Sequence, residues 1–278
     1  MNMYKVVLIT GCSTGIGRDL AQRLTLSGYT VVATARKVET LDDLPAALKL
    51  PLDVTQSESV DDAVARTLQQ FGRIDVLINN AGYTMLGALE EVSDEQTQHV
   101  FDVNVFGTLR MIRTVVPHMR KQRAGRIINI SSIAGKLSTP VNGTYSATKF
   151  ALEALSDALK LELAPFKIQV VLIEPGAIKT HFDNTAQVYA QNILSNSASP
   201  YRTLYQQSDQ FAASMRQDEP GPGAVSQVIE QAIQVSRPKA RYLVAIPFSG
   251  RLVIRLRDFV WNFVLKQMFK ITPMEMQS

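Results

Sequence analysis

"YKVVLITGCSTGIG", residues 4–17, joins a Val/Ile/Leu run to a loop with three glycines, and the next residues, RDLAQRLTL, follow a helical period. Strand, glycine turn and helix in that order make a phosphate cradle. Gly11 permits the tight turn, Gly15 lets the backbone come close to a pyrophosphate, and Gly17 lets the helix pack on the strand. The helix N-terminus adds free N–H groups and a positive dipole end. A lone glycine pattern is weak, but here it stands in the context that nucleotide binding requires.

The same grammar repeats outward from this unit. Apolar runs recur as YKVVLIT, YTVVATA, LKLPLDV, IDVLINN, GRIINIS, KIQVVLIE and RYLVAI, with helical patterns between them. Continuous apolar runs suit strands buried on both faces of a parallel sheet. The alternation predicts an α/β fold: a single Rossmann-like domain over 1–278, with a doubly wound parallel sheet of about seven strands flanked by helices. Two stretches break the pattern. Residues 178–220 form an insertion expected to act as a substrate lid, and residues 247–278 form a C-terminal extension.

Composition narrows the function classes. The chain has 278 residues, 46% of them hydrophobic, and a formal charge of +4. That suffices for a large core, and no basic run interleaved with aromatics suggests nucleic-acid binding. The single cysteine, Cys12, excludes an intramolecular disulfide and a cysteine-based zinc site, and His99, His118 and His181 lack metal-ligand spacing. No metal is expected, so redox chemistry would need a bound cofactor. The N-terminus reads as a strand, not a signal peptide, and no run reaches the roughly 18 apolar residues of a spanning helix, so a cytoplasmic location is expected.

In GTYSATKF, residues 143–150, Tyr145 and Lys149 stand at i and i+4 and share one helix face. A phenol titrating near about 10 becomes a usable proton donor beside a cation, which favours the phenolate. An isolated Tyr-x-x-x-Lys also reads as a half-buried tyrosine with its lysine in solvent. The ordered company of this pair decides: TGCSTGIG at 10–17, LDV at 52–54, NNAG at 79–82, NVFG at 104–107, SS at 131–132, YSATK at 145–149 and PGAIKT at 175–180. With these the chain resembles the short-chain dehydrogenase/reductase family over roughly residues 4–246, in a pattern most like its steroid- and retinol-type branch.

The resemblance implies hydride transfer between a nicotinamide and a carbonyl or alcohol carbon. It makes Tyr145 the proton donor, has Lys149 lower the phenol's pKa and hold the nicotinamide ribose, and gives Ser132, with Ser131 as competitor, the substrate oxygen. Asn104 would hold a water in a proton relay, local helix bonding being its alternative. Cofactor contacts are implied for Gly11, Ser13, Thr14, Gly15, Ile16 and Gly17 in the loop, and for Val54, Ala81 and Gly82. Asn80 would brace the central strand. Asp53 would meet the adenine edge or merely cap a strand end. Pro175, Gly176, Ile178 and Thr180 would wrap the nicotinamide amide.

At the end of the second strand stand Ala35 and Arg36. An acid there would bond the ribose 2′-hydroxyl of NAD, whereas a guanidinium suits a 2′-phosphate. NADP(H) is therefore expected over NAD(H), with Arg36 as a solvated loop residue the alternative. Cys12, beside a helix N-terminus, is a reactive thiol or a small filler.

Phe182, Val188, Tyr189, Ile193, Leu204 and Phe211 either line a pocket for a lipophilic carbonyl or alcohol substrate or pack between helices. In the tail, Leu252, Leu256, Phe259, Phe263 and Val264 alternate with Arg251, Arg255, Arg257, Lys266 and Lys270. Such a helix covers core or a partner subunit, or makes peripheral membrane contact through 247–271. Leu152, Leu155 and Leu159 suit a homo-oligomer interface or the core. A rival function class, a catalytically silent nucleotide sensor or membrane-surface scaffold, is disfavoured because Tyr145, Lys149, Ser132 and Asn104 are all retained.

Overall fold

Each of the seven apolar runs forms a strand: β1 (Val6–Ile9), β2 (Thr30–Ala35), β3 (Leu48–Pro51), β4 (Val76–Asn79), β5 (Gly125–Ile130), β6 (Ile168–Pro175) and β7 (Arg241–Val244). They join one parallel sheet in the order β3-β2-β1-β4-β5-β6-β7. The structure is a computed structural model that describes residues 5–180, 190–215 and 219–256.

The helices are α1 (Gly15–Leu26), α2 (Ser57–Phe71), α3 (Asp94–Phe101), α4 (Thr108–Gln122), α5 (Gly143–Leu163), α6 (Arg202–Met215), α7 (Gly223–Gln234) and α8 (Phe248–Arg255). Alternate strand residues feed two cores. Val7 and Ile9 of β1 pack with Leu20 and Leu24 of α1 and Ile229 and Ile233 of α7. Val6 and Leu8 face the other way, onto Val60 and Val64 of α2 and Met111 and Val115 of α4. Burial on both sides is why the strands read as unbroken apolar runs.

Residues 93–119, one helical pattern in sequence, contain a discontinuity. Ser93 and Gln96 form a capping box at the start of α3, but Asp102–Gly107 wind as a wider turn with i→i+5 bonding before α4 resumes. Such turns gather at functional sites, and no hydrophobic period announces them.

Because β1 has β2 on one side and β4 on the other, the crossovers leave in opposite directions and open a crevice at the carboxyl ends of the strands. Part of the insertion lines it. The hydroxyl of Tyr205, on α6, accepts from the Ala88 N–H at 3.0 Å and bonds the Glu91 carboxylate, pinning the helix to the loop after β4. Leu152 and Leu159 belong to the core, which accounts for that part of the α5 stripe. Leu252 on α8 and Leu256 just after it are exposed. Phe182, Val188, Tyr189, Arg257, Phe259, Phe263, Val264, Lys266 and Lys270 lie outside the described residues, and among those described no helix is long and apolar enough to cross a membrane.

Candidate active site

The crevice is a cavity of about 670 Å³. Its wall takes Gly11, Ser13, Thr14, Gly15 and Ile16 from the first loop, Arg36 after β2, Asp53 and Val54 after β3, and Asn80, Ala81 and Gly82 after β4. Ser132, Tyr145, Lys149, Pro175, Gly176, Ile178 and Thr180 complete it from β5, α5 and β6. Two expected site residues, Gly17 and Asn104, stand behind this wall and support it.

The glycine loop is tied from underneath. Thr10 Oγ1 accepts from the N–H groups of Asn80 and Ala81, at 3.0 and 2.9 Å, and Asn80 Nδ2 returns bonds to the Thr10 and Gly11 carbonyls, both at 2.9 Å. Asn80 therefore braces the loop as well as the strand end that bears it. Gly17 does not simply ease helix onto strand: a Cβ there would lie 2.3 Å from the Gly11 carbonyl oxygen and 2.4 Å from Asn80 Nδ2. Gly11 has φ +73°, and a Cβ on it would meet Ala81 Cα at 2.9 Å. Thr14, the N-cap of α1, makes no side-chain cap bond, which leaves first-turn N–H groups for a ligand at the cavity edge. An uncapped helix end with a glycine-lined approach fits the pyrophosphate of a dinucleotide. Cys12 is buried, and burial pushes its thiol up to about 12, so it is a filler rather than a reactive group.

At the other end α5 presents Tyr145 and Lys149 together, the lysine Nζ 5.5 Å from the tyrosine ring centroid. Lys149 Nζ donates to the Ile130 carbonyl at 2.8 Å, which fixes α5 to the end of β5 just before Ser131 and Ser132. Burial pulls the ammonium down to about 8, and the charge of Glu153, one turn further on, opposes that shift. Both serines line the cavity and differ in their exposure and bonding. Ser131 is 3% exposed, and its hydroxyl points toward Gly135, where a Cβ would come within 3.0 Å of it. The Ser132 hydroxyl accepts from the Ala134 N–H at 3.1 Å and lines the cavity.

Asn104 sits in the wide turn with its amide fully used. Its Oδ1 accepts from the Tyr83 N–H at 3.1 Å, and Nδ2 donates to the Tyr83 carbonyl at 2.9 Å and to Thr148 Oγ1 at 3.1 Å. Thr148 in turn donates to the Tyr145 carbonyl at 2.7 Å. The asparagine thus clamps the loop after β4 to α5 between Tyr145 and Lys149. Asp53 spends Oδ1 on the N–H and hydroxyl of Thr55, at 2.9 and 2.8 Å, so it caps the strand end while also lining the cavity.

Of the apolar residues picked out in the insertion and described, Phe211 lines the cavity, whereas Ile193 and Leu204 pack into small cores beside it. Leu194, Tyr205, Ser208 and Ala212 also line it, together with Leu86, His99 and Val141, and Leu86, Leu194 and Tyr205 belong to those small cores as well. A helical stripe in sequence does not say whether it meets a core or a cavity. Val141 also has φ +69°, a strained setting for a β-branched residue, held by the Gly87 N–H on its carbonyl at 2.8 Å. Only the adjacent NG pair hinted at an unusual turn there.

Comparison with known proteins agrees with this geometry. A family model described as short chain dehydrogenase matches residues 5–189. The human 17-beta-hydroxysteroid dehydrogenase type 1 is 36% identical over 268 residues, 91% of this chain and 81% of that one. The 3-ketodihydrosphingosine reductase of Bacteroides thetaiotaomicron is 44% identical over 191 residues, 68% of this chain and 70% of that one. A short chain dehydrogenase/reductase from Burkholderia phymatum, solved in complex with NAD, superposes with a TM-score of 0.79 at 28% identity, covering 99% of this chain and 98% of that one. Sheet order, glycine loop and relatives converge, and the chain belongs to the short-chain dehydrogenase/reductase family, as an oxidoreductase of CH–OH and C=O groups that uses a nicotinamide cofactor.

Proposed function

We propose that the protein interconverts a carbonyl and an alcohol on a lipophilic substrate with NADP(H), and that Tyr145, Lys149 and Ser132 carry the proton chemistry, with Asn104 as a positioning residue behind them. The observation that carries this reading is the shared helix face of Tyr145 and Lys149, with the buried ammonium beside the phenol at the cavity wall. When bound, the nicotinamide supplies or takes the hydride. Gly11, Ser13–Ile16 and Thr180 would hold the dinucleotide, and Pro175, Gly176 and Ile178 its amide end. Ser132 holds the substrate oxygen by donating its proton. Tyr145 gives that oxygen a proton in reduction or takes one in oxidation, where charge changes most along the reaction. Lys149 favours the phenolate through its charge. Asn104 keeps Tyr145 and Lys149 in register through Thr148.

For the cofactor, Ala35 is buried and Arg36 stands exposed at the cavity edge, where a 2′-phosphate would find charge and paired donors. Arg36→Ala is expected to raise the KM for NADPH about 10- to 100-fold, the worth of a charged hydrogen bond, with NADH changed less than twofold. Steady-state kinetics with both cofactors decides, and a wild type that prefers NADH would sink the assignment.

The lipophilic substrate is supported by the apolar wall of Leu86, Val141, Leu194, Phe211 and Ala212, and by relatives named for steroid and sphingoid substrates. Along a series of linear 2-alkanones, KM should fall by about three- to fourfold per methylene until the cavity is filled, because each buried CH₂ contributes about 0.8 kcal/mol. A flat series would remove the lipophilic reading and leave the oxidoreductase intact.

A further inference from the structure

Behind Lys149, away from the cavity wall, α5 and β6 bring two glutamates together. Glu153 follows the lysine by one helical turn, and Glu174 is near the end of β6, with side chains 7% and 2% exposed. Glu153 Oε2 accepts from Lys136 Nζ at 2.6 Å and from Arg241 Nε at 3.1 Å. Glu174 Oε1 faces the same two cations, 3.4 Å from Lys136 Nζ and 3.2 Å from Arg241 Nε. The outer nitrogen of Arg241 is drawn to Asp157 at 2.6 Å. The charged groups around the pair are therefore Lys149 and Asp157 on α5, Lys136 just after the short 133–135 turn that follows Ser132, and Arg241 on β7.

We propose that Glu153 and Glu174 share one buried proton, and that this pair is a positioning group that sets the charge behind Lys149 and anchors the loop bearing Ser132. Glu153 Oε1 and Glu174 Oε1 are both buried, and neither receives an aligned hydrogen bond among the described residues. Two carboxylates gathered on the same two cations repel, and these two oxygens lack an aligned donor of their own; a proton between them removes a charge and supplies an O–H···O bond. Burial, then the charge of Glu153, pushes Glu174 up to about 7, against the pull of Lys136. Glu153 also opposes the desolvation of Lys149. As pH rises through neutrality the pair goes from one negative charge to two. The second charge keeps Lys149 an ammonium to higher pH, while Lys136, salt-bridged to both carboxyls, holds the Ser132 loop against α5.

The catalytic part of this inference rests on Tyr145 and Lys149 acting as proposed above. In Glu174→Gln a single carboxylate remains, so the lysine loses its proton sooner. The basic limb of kcat/KM for carbonyl reduction should move down by about half a pH unit or more, and Glu174→Asp should restore it. Loss of packing alone would lower the rate at every pH and leave the limb in place, which would overturn the role. The pair itself is tested without turnover by carbon-13 NMR of glutamate carboxyls in the wild-type protein. One carboxyl should titrate near neutrality and vanish from the spectrum of Glu174→Gln. If every glutamate titrates in the ordinary acidic range, the shared proton does not exist, whatever the kinetics show. If instead the neutral titration is present but Tyr145 proves dispensable, the catalytic reading fails and the pair stands.

Discussion

Tyr145→Phe lowers kcat/KM for carbonyl reduction by about 10³-fold or more, within the range that a positioned proton donor contributes. The substitution keeps the ring, which is 8% exposed and packed in the cavity wall, and removes only the oxygen. Lys149 keeps its bond to the Ile130 carbonyl, so the cation stays in place with no acid to act on. The loss should appear in kcat and kcat/KM alike, because the phenol serves the transition state more than the bound substrate. Dinucleotide affinity, read from quenching of protein fluorescence, should stay within about threefold, since one side-chain contact of about 0.5 kcal/mol is at stake there. Activity within tenfold of wild type would mean that another group delivers the proton.

Gly17→Ala has the next largest effect, and it acts on folding and binding together. The added methyl meets the Gly11 carbonyl oxygen and Asn80 Nδ2, which are themselves bonded to each other. Neither is the free end of a flexible chain. Relief requires breaking that bond or moving the loop off β4, at about 1–3 kcal/mol for overpacking and about 1 kcal/mol for the bond. For a domain of this size that lowers the melting temperature by roughly 5–15 °C. The displaced loop also turns its N–H groups away from the phosphate position, so NADPH should bind at least about tenfold more weakly. Scanning fluorimetry with and without NADPH reads both effects. A variant that melts within about 2 °C of wild type and is equally stabilised by the cofactor would show that the loop has room the geometry denies.

The seven strands and most of the site were legible because each lies in a short, local pattern. An apolar run, a glycine spacing or a Tyr-x-x-x-Lys needs only neighbours in sequence to be recognised. What depends on neighbours in space was not legible. Asn104 stands out in sequence as a polar residue within a helical pattern, yet its grip on Tyr83 and Thr148 depends on where α5 crosses the loop after β4. Glu153 and Glu174 come from α5 and β6 and meet only because the strand packs under that helix. On α6, Leu204 goes into a small core while Ser208 goes to the cavity, a difference that depends on how the helix docks through Tyr205.

The wide turn at Asp102–Gly107 has a consequence for editing the chain. It absorbs one residue beyond a regular helix, so α3 and α4 keep the phase a continuous helix would give them while the turn itself bulges. Removing one residue there would let the helix rewind regularly and leave the stripe of Met111, Ile112, Val115 and Met119 facing the sheet, at the expense of Asn104, whose place in the bulge would be lost. Single-residue deletions there would therefore disturb the asparagine before the core, whereas point substitutions on the exposed side, as at Phe106, leave both in place.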